Sequence, residues 1–143
     1  MEISEKECWM LKNLCAIRCL NLRNKHTYSD DIWDINYIGV LSEYAWSKKW
    51  NLHYNLIGHI EKGSSDFKSG TTCYDIKSTR RKTGNLIVNP NEINSDIYVL
   101  AIVTNNNVDF VGWKEKGNLY SYKIGDKTFY GCEKEKLNQW PEQ

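Results

Sequence analysis

No uninterrupted apolar run in these 143 residues approaches the roughly 18 that a membrane-spanning helix requires. The opening segment, MEISEKECWMLKN, is acidic before it is apolar, the wrong order for a secretion signal. A soluble, cytoplasmic chain with no membrane partner is therefore expected. No CxxC pair occurs, and the cysteines (Cys8, Cys15, Cys19, Cys73 and Cys132) are odd in number, which argues against a zinc ribbon and a disulfide framework. Cys15 and Cys19 can share a helical face, but further ligands at suitable spacing are missing, so reduced thiols are expected. His26, His53 and His59 form no HExxH pattern. Internal repeats and low-complexity tracts are absent as well. Net charge is only +1, so bulk electrostatics neither demand nor exclude a nucleic-acid partner, and local charge placement has to decide.

The length suits one domain over residues 1–143, large enough to bury a core without disulfides or a structural metal. Ser4 with Glu7 forms a capping-box pattern, and Met10, Leu11, Leu14, Ile17 and Leu22 recur at helical spacing through about Arg23. Residues 24–31 read as a loop. Ile38, Leu41 and Ala45 then mark a second helix that ends near Trp50, with Asp34 or Asn36 as its cap. From His53 the pattern turns to strands: His53 to Ile60, Asp66-Phe67, Thr72 to Lys77, Leu86 to Val88, Ile97 to Val103 and Val108 to Trp113. A hairpin around Gly125-Asp126 joins Tyr120–Ile124 to Thr128–Tyr130, and Glu133 to Trp140 reads as a short helix stopped by Pro141. Two helices followed by a mixed sheet predict an α/β fold with a central mixed β-sheet flanked by helices.

The chemistry concentrates at Asp75-Ile76-Lys77. With the chain reversing at Ser69-Gly70, Lys68 faces Thr71, Phe67 faces Thr72, and Asp66 faces Cys73. Asp75 and Lys77 then project to the side of the sheet that carries Asp66. The two aspartates become diagonal neighbours with β-carbons roughly 7–8 Å apart, close enough to grip one ion. Phosphodiester hydrolysis needs such groups: carboxylates that hold Mg²⁺, with Mn²⁺ able to substitute, and an ammonium that orients the nucleophile and offsets developing charge. Glu43 sits on the second helix with Gly39, Val40, Trp46 and Trp50 as helical neighbours, and a carboxylate so placed needs a partner, which a metal centre would supply.

The order Gly39-x-x-x-Glu43 in a helix, Gly63-Ser64-Ser65-Asp66, and Asp75-Ile76-Lys77 in the next strand resembles the PD-(D/E)xK nuclease superfamily, with its restriction-endonuclease-like fold. Ser65 stands where that pattern has proline. The resemblance covers roughly Gly39 to Thr79. It implies that Asp66 and Asp75 bind the catalytic metal, that Lys77 assists the attacking water, and that Glu43 completes the acidic, metal-binding site. In size and in the Asp-x-Lys-Ser-Thr continuation the chain is most similar to small phage-borne and mobile-element endonucleases. Holliday-junction resolvases are similar in length and in the small-residue run before the first aspartate.

Beyond Lys77, the residues Ser78, Thr79, Arg80, Arg81 and Lys82 form a basic, hydroxyl-rich stretch that holds two of the four arginines in the chain. It reads either as a clamp for backbone phosphates or as a solvated loop. Trp33, Trp46, Trp50, Trp113, Tyr37 and Tyr44 are read mainly as packing rather than base-stacking groups, and Trp9 and Trp140 as marks of a dimer surface. The expected function is a Mg²⁺-dependent DNA endonuclease, possible as a homodimer that cuts both strands. Its alternatives are a structure-selective Holliday-junction resolvase and a non-catalytic binding or assembly protein that keeps the fold.

Overall fold

A computed structural model describes residues 1–21, 32–54 and 65–140. The expected loop at 24–31 and most of the expected strand from His53 to Ile60 lie outside the described residues. The first helix, α1 (Glu5–Asn21), begins with the capping box read from the sequence. Ser4 Oγ accepts the Glu7 amide at 3.2 Å, and the Ser4 amide donates to Glu7 Oε2 at 3.0 Å. Helix α2 (Ile32–Trp50) starts earlier than its apolar stripe suggests, so neither Asp34 nor Asn36 caps it. Both sit inside the first turns, where the Asn36 side-chain amide donates to the Ile32 carbonyl and Asp34 accepts from Arg80 Nε and Nη2, each at 2.6 Å.

The strands are β1 (Phe67–Ser69), β2 (Thr72–Thr79), β3 (Leu86–Val88), β4 (Ile97–Thr104), β5 (Asn107–Glu115), β6 (Tyr120–Ile124) and β7 (Lys127–Cys132). They form a four-stranded mixed sheet in the order β1-β2-β4-β5, with β2 and β4 parallel, and a three-stranded antiparallel sheet in the order β3-β7-β6. Strand β4 is buried on both faces, and its continuous apolar sequence is what such a position demands. Val99, Ala101 and Val103 pack toward the helices with Ile76, Leu41 and Trp46. Tyr98 and Leu100 face the opposite way and form a second core with Leu86, Val88, Cys132 and Leu137. Among the described residues, then, both helices cover one face of the mixed sheet, and the smaller sheet covers the other. The expected terminal helix is absent: Lys134–Lys136 makes a single 3-10 turn, after which Asn138 pairs with Trp113 through backbone hydrogen bonds.

The first hairpin turns one residue later than the sequence reading places it. Phe67 pairs with Tyr74 and Ser69 with Thr72, so the loop is Gly70-Thr71. Gly70 has φ +61°, and the loops of the other two tight hairpins likewise open on positive φ, at Asn105 (53°) and Gly125 (62°). Positive φ at the first loop residue alone is the signature of a type II′ turn, which takes glycine at its first position, whereas a type I′ turn favours it at the second.

Aromatic packing follows the expectation for Trp46 and Tyr37, which are buried. Trp140 is corrected from a dimer marker to a packing residue, with its ring centroid 5.3 Å from Trp46, 6.1 Å from Trp50 and 6.0 Å from Trp113. Trp33 stays exposed, as does Trp9. No helix among the described residues is long and apolar enough to cross a membrane.

Leu41 is fully buried between the helices and the sheet. We expect Leu41→Ala to cost about 2–5 kcal/mol in urea unfolding. Removal of the half-exposed Arg80 to Asp34 pair by Arg80→Ala should cost under about 1 kcal/mol.

Candidate active site

Strand β2 lies antiparallel to α2, and this places each acidic group. The Arg80 to Asp34 pair ties the end of β2 to the start of α2, and a β-carbon on Gly39 would stand 4.0 Å from Ser78 Oγ. Further along, the Trp46 ring meets Tyr74 at 6.1 Å. Glu43 falls between Gly39 and Trp46, at the level of Ile76. Extending the β1–β2 register by one step sets Asp66 directly across from Asp75. The sequence reading set them diagonally, but the true pairing differs by two residues, and a shift of two preserves the face. Directly opposed residues on a ladder bring β-carbons to about 4.5–5.5 Å, closer than the diagonal arrangement.

Strand β1 begins only at Phe67, so the Ile76 amide, which points to that side, would otherwise lack a strand partner. Asp66 Oδ2 accepts it at 2.7 Å. Burial, the charge of Glu43 and the charge of Asp75, which lies within hydrogen-bonding reach, raise the Asp66 pKa well above 3.8 despite the opposing effect of the Ile76 amide. Asp66 keeps solvent access as a residue.

Glu43 finds its partners within the protein, where the sequence reading looked to a metal centre to supply one. Its Oε2 accepts from Arg18 Nη1 at 3.0 Å and from the Tyr54 hydroxyl at 2.8 Å. Burial works against the Arg18 charge, but Glu43, Tyr54 and Asp66 outweigh it and hold the guanidinium charged. Burial and the Glu43 charge push the Tyr54 phenol upward, so it remains a hydrogen-bond donor. Sequence reasoning missed both residues. Arg18 shows a signal in retrospect, a lone arginine near the end of an amphipathic helix.

Lys77 Nζ lies 2.7 Å from Asp75 Oδ2, with side chains 27% and 13% exposed. That buried oxygen receives no well-aligned hydrogen bond, so the contact is an ion pair of poor hydrogen-bond geometry rather than a satisfied one. Asp75 and Lys77 project from the same face of β2 as Tyr98 and Leu100 of β4, toward the smaller sheet. Glu43 approaches from the helical side. The acids meet at the edge of β2, where β1 starts.

In the basic stretch, Ser78 Oγ faces Gly39 of α2, and Thr79 Oγ1 accepts the Arg81 amide at 3.1 Å. Arg80 is committed to Asp34, whereas Arg81 and Lys82 are exposed. A groove of about 570 Å³ opens beside Lys77 and Arg81.

Among the described residues no group of three or more His, Cys, Asp or Glu side chains is placed to hold an ion. Asp66 and Asp75 make a pair, with Glu43 held apart by Arg18. Mg²⁺ is commonly bound through one or two carboxylates and keeps several of its waters, so this hard-oxygen pair fits a divalent cation. The crowded carboxylates and the poorly bonded Asp75 Oδ2 point the same way.

Compared with protein-family models, with curated proteins and with solved structures, the chain finds no match.

Two titrations of opposite sign follow. Glu7 is lowered from 4.5 to about 2, first by Lys48, which lies 2.6 Å away, so its stabilising effect is lost as pH falls from about 4.5 toward 2. Asp66 is raised, so the folded state holds its proton more tightly than the unfolded chain does. Its favourable contribution is present at low pH and is lost as pH rises from 3.8 through the folded value. In EDTA, thermal melts between pH 3 and 8 should show Asp66→Asn removing the second loss while leaving the acid limb unchanged.

Proposed function

We propose that this chain is a metal-dependent DNA endonuclease of the restriction-endonuclease-like class. The carrying observation is that Asp66 and Asp75 lie within hydrogen-bonding reach of each other, with the Lys77 ammonium 2.7 Å from Asp75. Hydrolysis of a phosphodiester requires deprotonation of water and neutralisation of charge gathering on the phosphate. A divalent ion bound by Asp66 and Asp75 would supply acidity to water and positive charge at the phosphate. Lys77 lies on the same strand face, two residues from Asp75, where its ammonium can orient the attacking water and offset developing charge. The Ile76 amide fixes Asp66 at the strand edge. Glu43 acts through its neighbours: it holds Arg18 and Tyr54 and adds negative charge beside Asp66, which strengthens the preference of the pair for a cation. No covalent enzyme intermediate is needed. A homodimer would bring two such centres to the two strands of a duplex.

Because Glu43 already has Arg18 and Tyr54 as partners and needs no ion, a non-catalytic binding protein that keeps this fold is the second reading. Purified protein with Mg²⁺ or Mn²⁺ should cleave DNA offered as linear, branched and single-stranded substrates. Asp75→Ala and Lys77→Ala should each lower the rate by about 100-fold or more. Intact substrates in every case would leave only the binding reading. A separate check needs no turnover: saturating Mn²⁺, at about 100 times its Kd, should stabilise the wild type by roughly 2.7 kcal/mol and leave Asp75→Ala unmoved.

A further inference from the structure

We propose that the groove beside Lys77 is a track for a single, unpaired DNA strand, so that the preferred substrate carries a single-stranded segment next to the cleaved bond. The choice of nucleic acid as the ligand rests on the nuclease reading; the location of the track rests on the groove itself. The groove of about 570 Å³ runs between the end of β2 and strand β6. A second hollow of about 430 Å³ continues it, and the two share Asn85 and Tyr122. A pocket of that size admits a ligand of nucleotide dimensions.

The two walls differ in chemistry. On one side stand the Lys77 and Arg81 cations with the hydroxyls of Thr79 and Thr83. On the other, β6 presents Tyr120, Tyr122 and Ile124 at alternate positions, which places all three on one face of the strand. Tyr120 and Ile124 are about half exposed, and the exposed Ile87 of β3 lines the same groove as Ile124. Large apolar groups left in water along a cationic groove are the two components that single-strand binding requires: charge for the phosphates and flat or apolar surface for the bases. Lys136 adds a cation 5.7 Å from the Tyr120 ring centroid, and Glu133, 3.4 Å from Lys136, is the acidic group of this second hollow. Residues two apart on a strand are separated by about 6.8 Å, twice the roughly 3.4 Å rise per nucleotide in one strand of a duplex. Bases resting on Tyr120 and Tyr122 would therefore be drawn apart from each other, as in an extended single strand. Since Lys77 belongs to both the groove and the acidic site, a strand in this track leads its backbone to Asp75.

The test is fluorescence anisotropy of a short dye-labelled oligo-dT strand in EDTA, where no cleavage can occur. Wild-type protein should bind the single strand more tightly than a duplex of equal length. Tyr120→Ala should weaken binding about fivefold or more. Arg81→Ala should weaken it similarly and flatten the slope of log K against log salt by about 0.7. Lys123, exposed on the opposite face of β6, is the control, and Lys123→Ala should change binding by under about twofold. Equal losses for Lys123→Ala and Arg81→Ala, or no loss for Tyr120→Ala, would overturn the proposal. Both altered side chains are at the surface, so circular dichroism should register no change. Cleavage of duplex by a protein whose binding ignores Tyr120 sinks the track and leaves the nuclease. Tyr120-dependent binding without cleavage in Mg²⁺ or Mn²⁺ does the reverse.

Discussion

The Ile76 amide and the Asp66 carboxylate meet at 2.7 Å where one strand has run out and its neighbour continues. This hydrogen bond substitutes a side chain for a missing ladder partner. It also fixes an acid across from Asp75, with Glu43 leaning in from the helical layer. Each element then has a reason for its position. Helix α2 must lie close and antiparallel to β2, which the Gly39 to Ser78 approach and the Arg80 to Asp34 pair secure. Helix α1 must deliver Arg18, since an unpaired Glu43 at that depth would be costly. Strand β4 carries the buried load between the two cores, and β2, at its side, is free to carry polar groups.

The electrostatics set a tension that the fold does not fully resolve. Asp66 and Asp75 form a close pair with Glu43 nearby, and two of the three carboxylates have a cation: Glu43 is matched by Arg18, and Asp75 by Lys77. Asp66 is left with an amide and two like-charged neighbours, which drives its proton affinity upward. A protein selected for stability alone would replace such a group. In the proposed function, a divalent ion bound there would supply the positive charge that Asp66 lacks in the protein alone.

Much of this was legible in the sequence, and the parts that were not have physical causes. The Ser4 and Glu7 spacing gave the start of α1 because a capping box is local chemistry. Leu86–Val88 and the Gly125-Asp126 turn were readable for the same reason. Faces of β2 follow from alternation, so Asp75 and Lys77 fall on one side even with the turn set one residue early. That error traces to which loop position a left-handed glycine prefers. The partners of Glu43 were hidden because a helix-to-helix ion pair spans residues 18 to 43 and leaves no local pattern. Likewise, the role of Trp140 depends on the chain folding back along β5, where a 3-10 turn replaces the expected helix.

The central claim is that the Asp66 and Asp75 carboxylates form one cation site, and anomalous diffraction from a crystal grown with Mn²⁺ tests it most directly. The account predicts an anomalous peak within coordinating distance of both carboxylates and beside the Lys77 ammonium. Well-ordered Asp66 and Asp75 side chains with no peak between them, at an Mn²⁺ concentration that labels other surface acids, would contradict it.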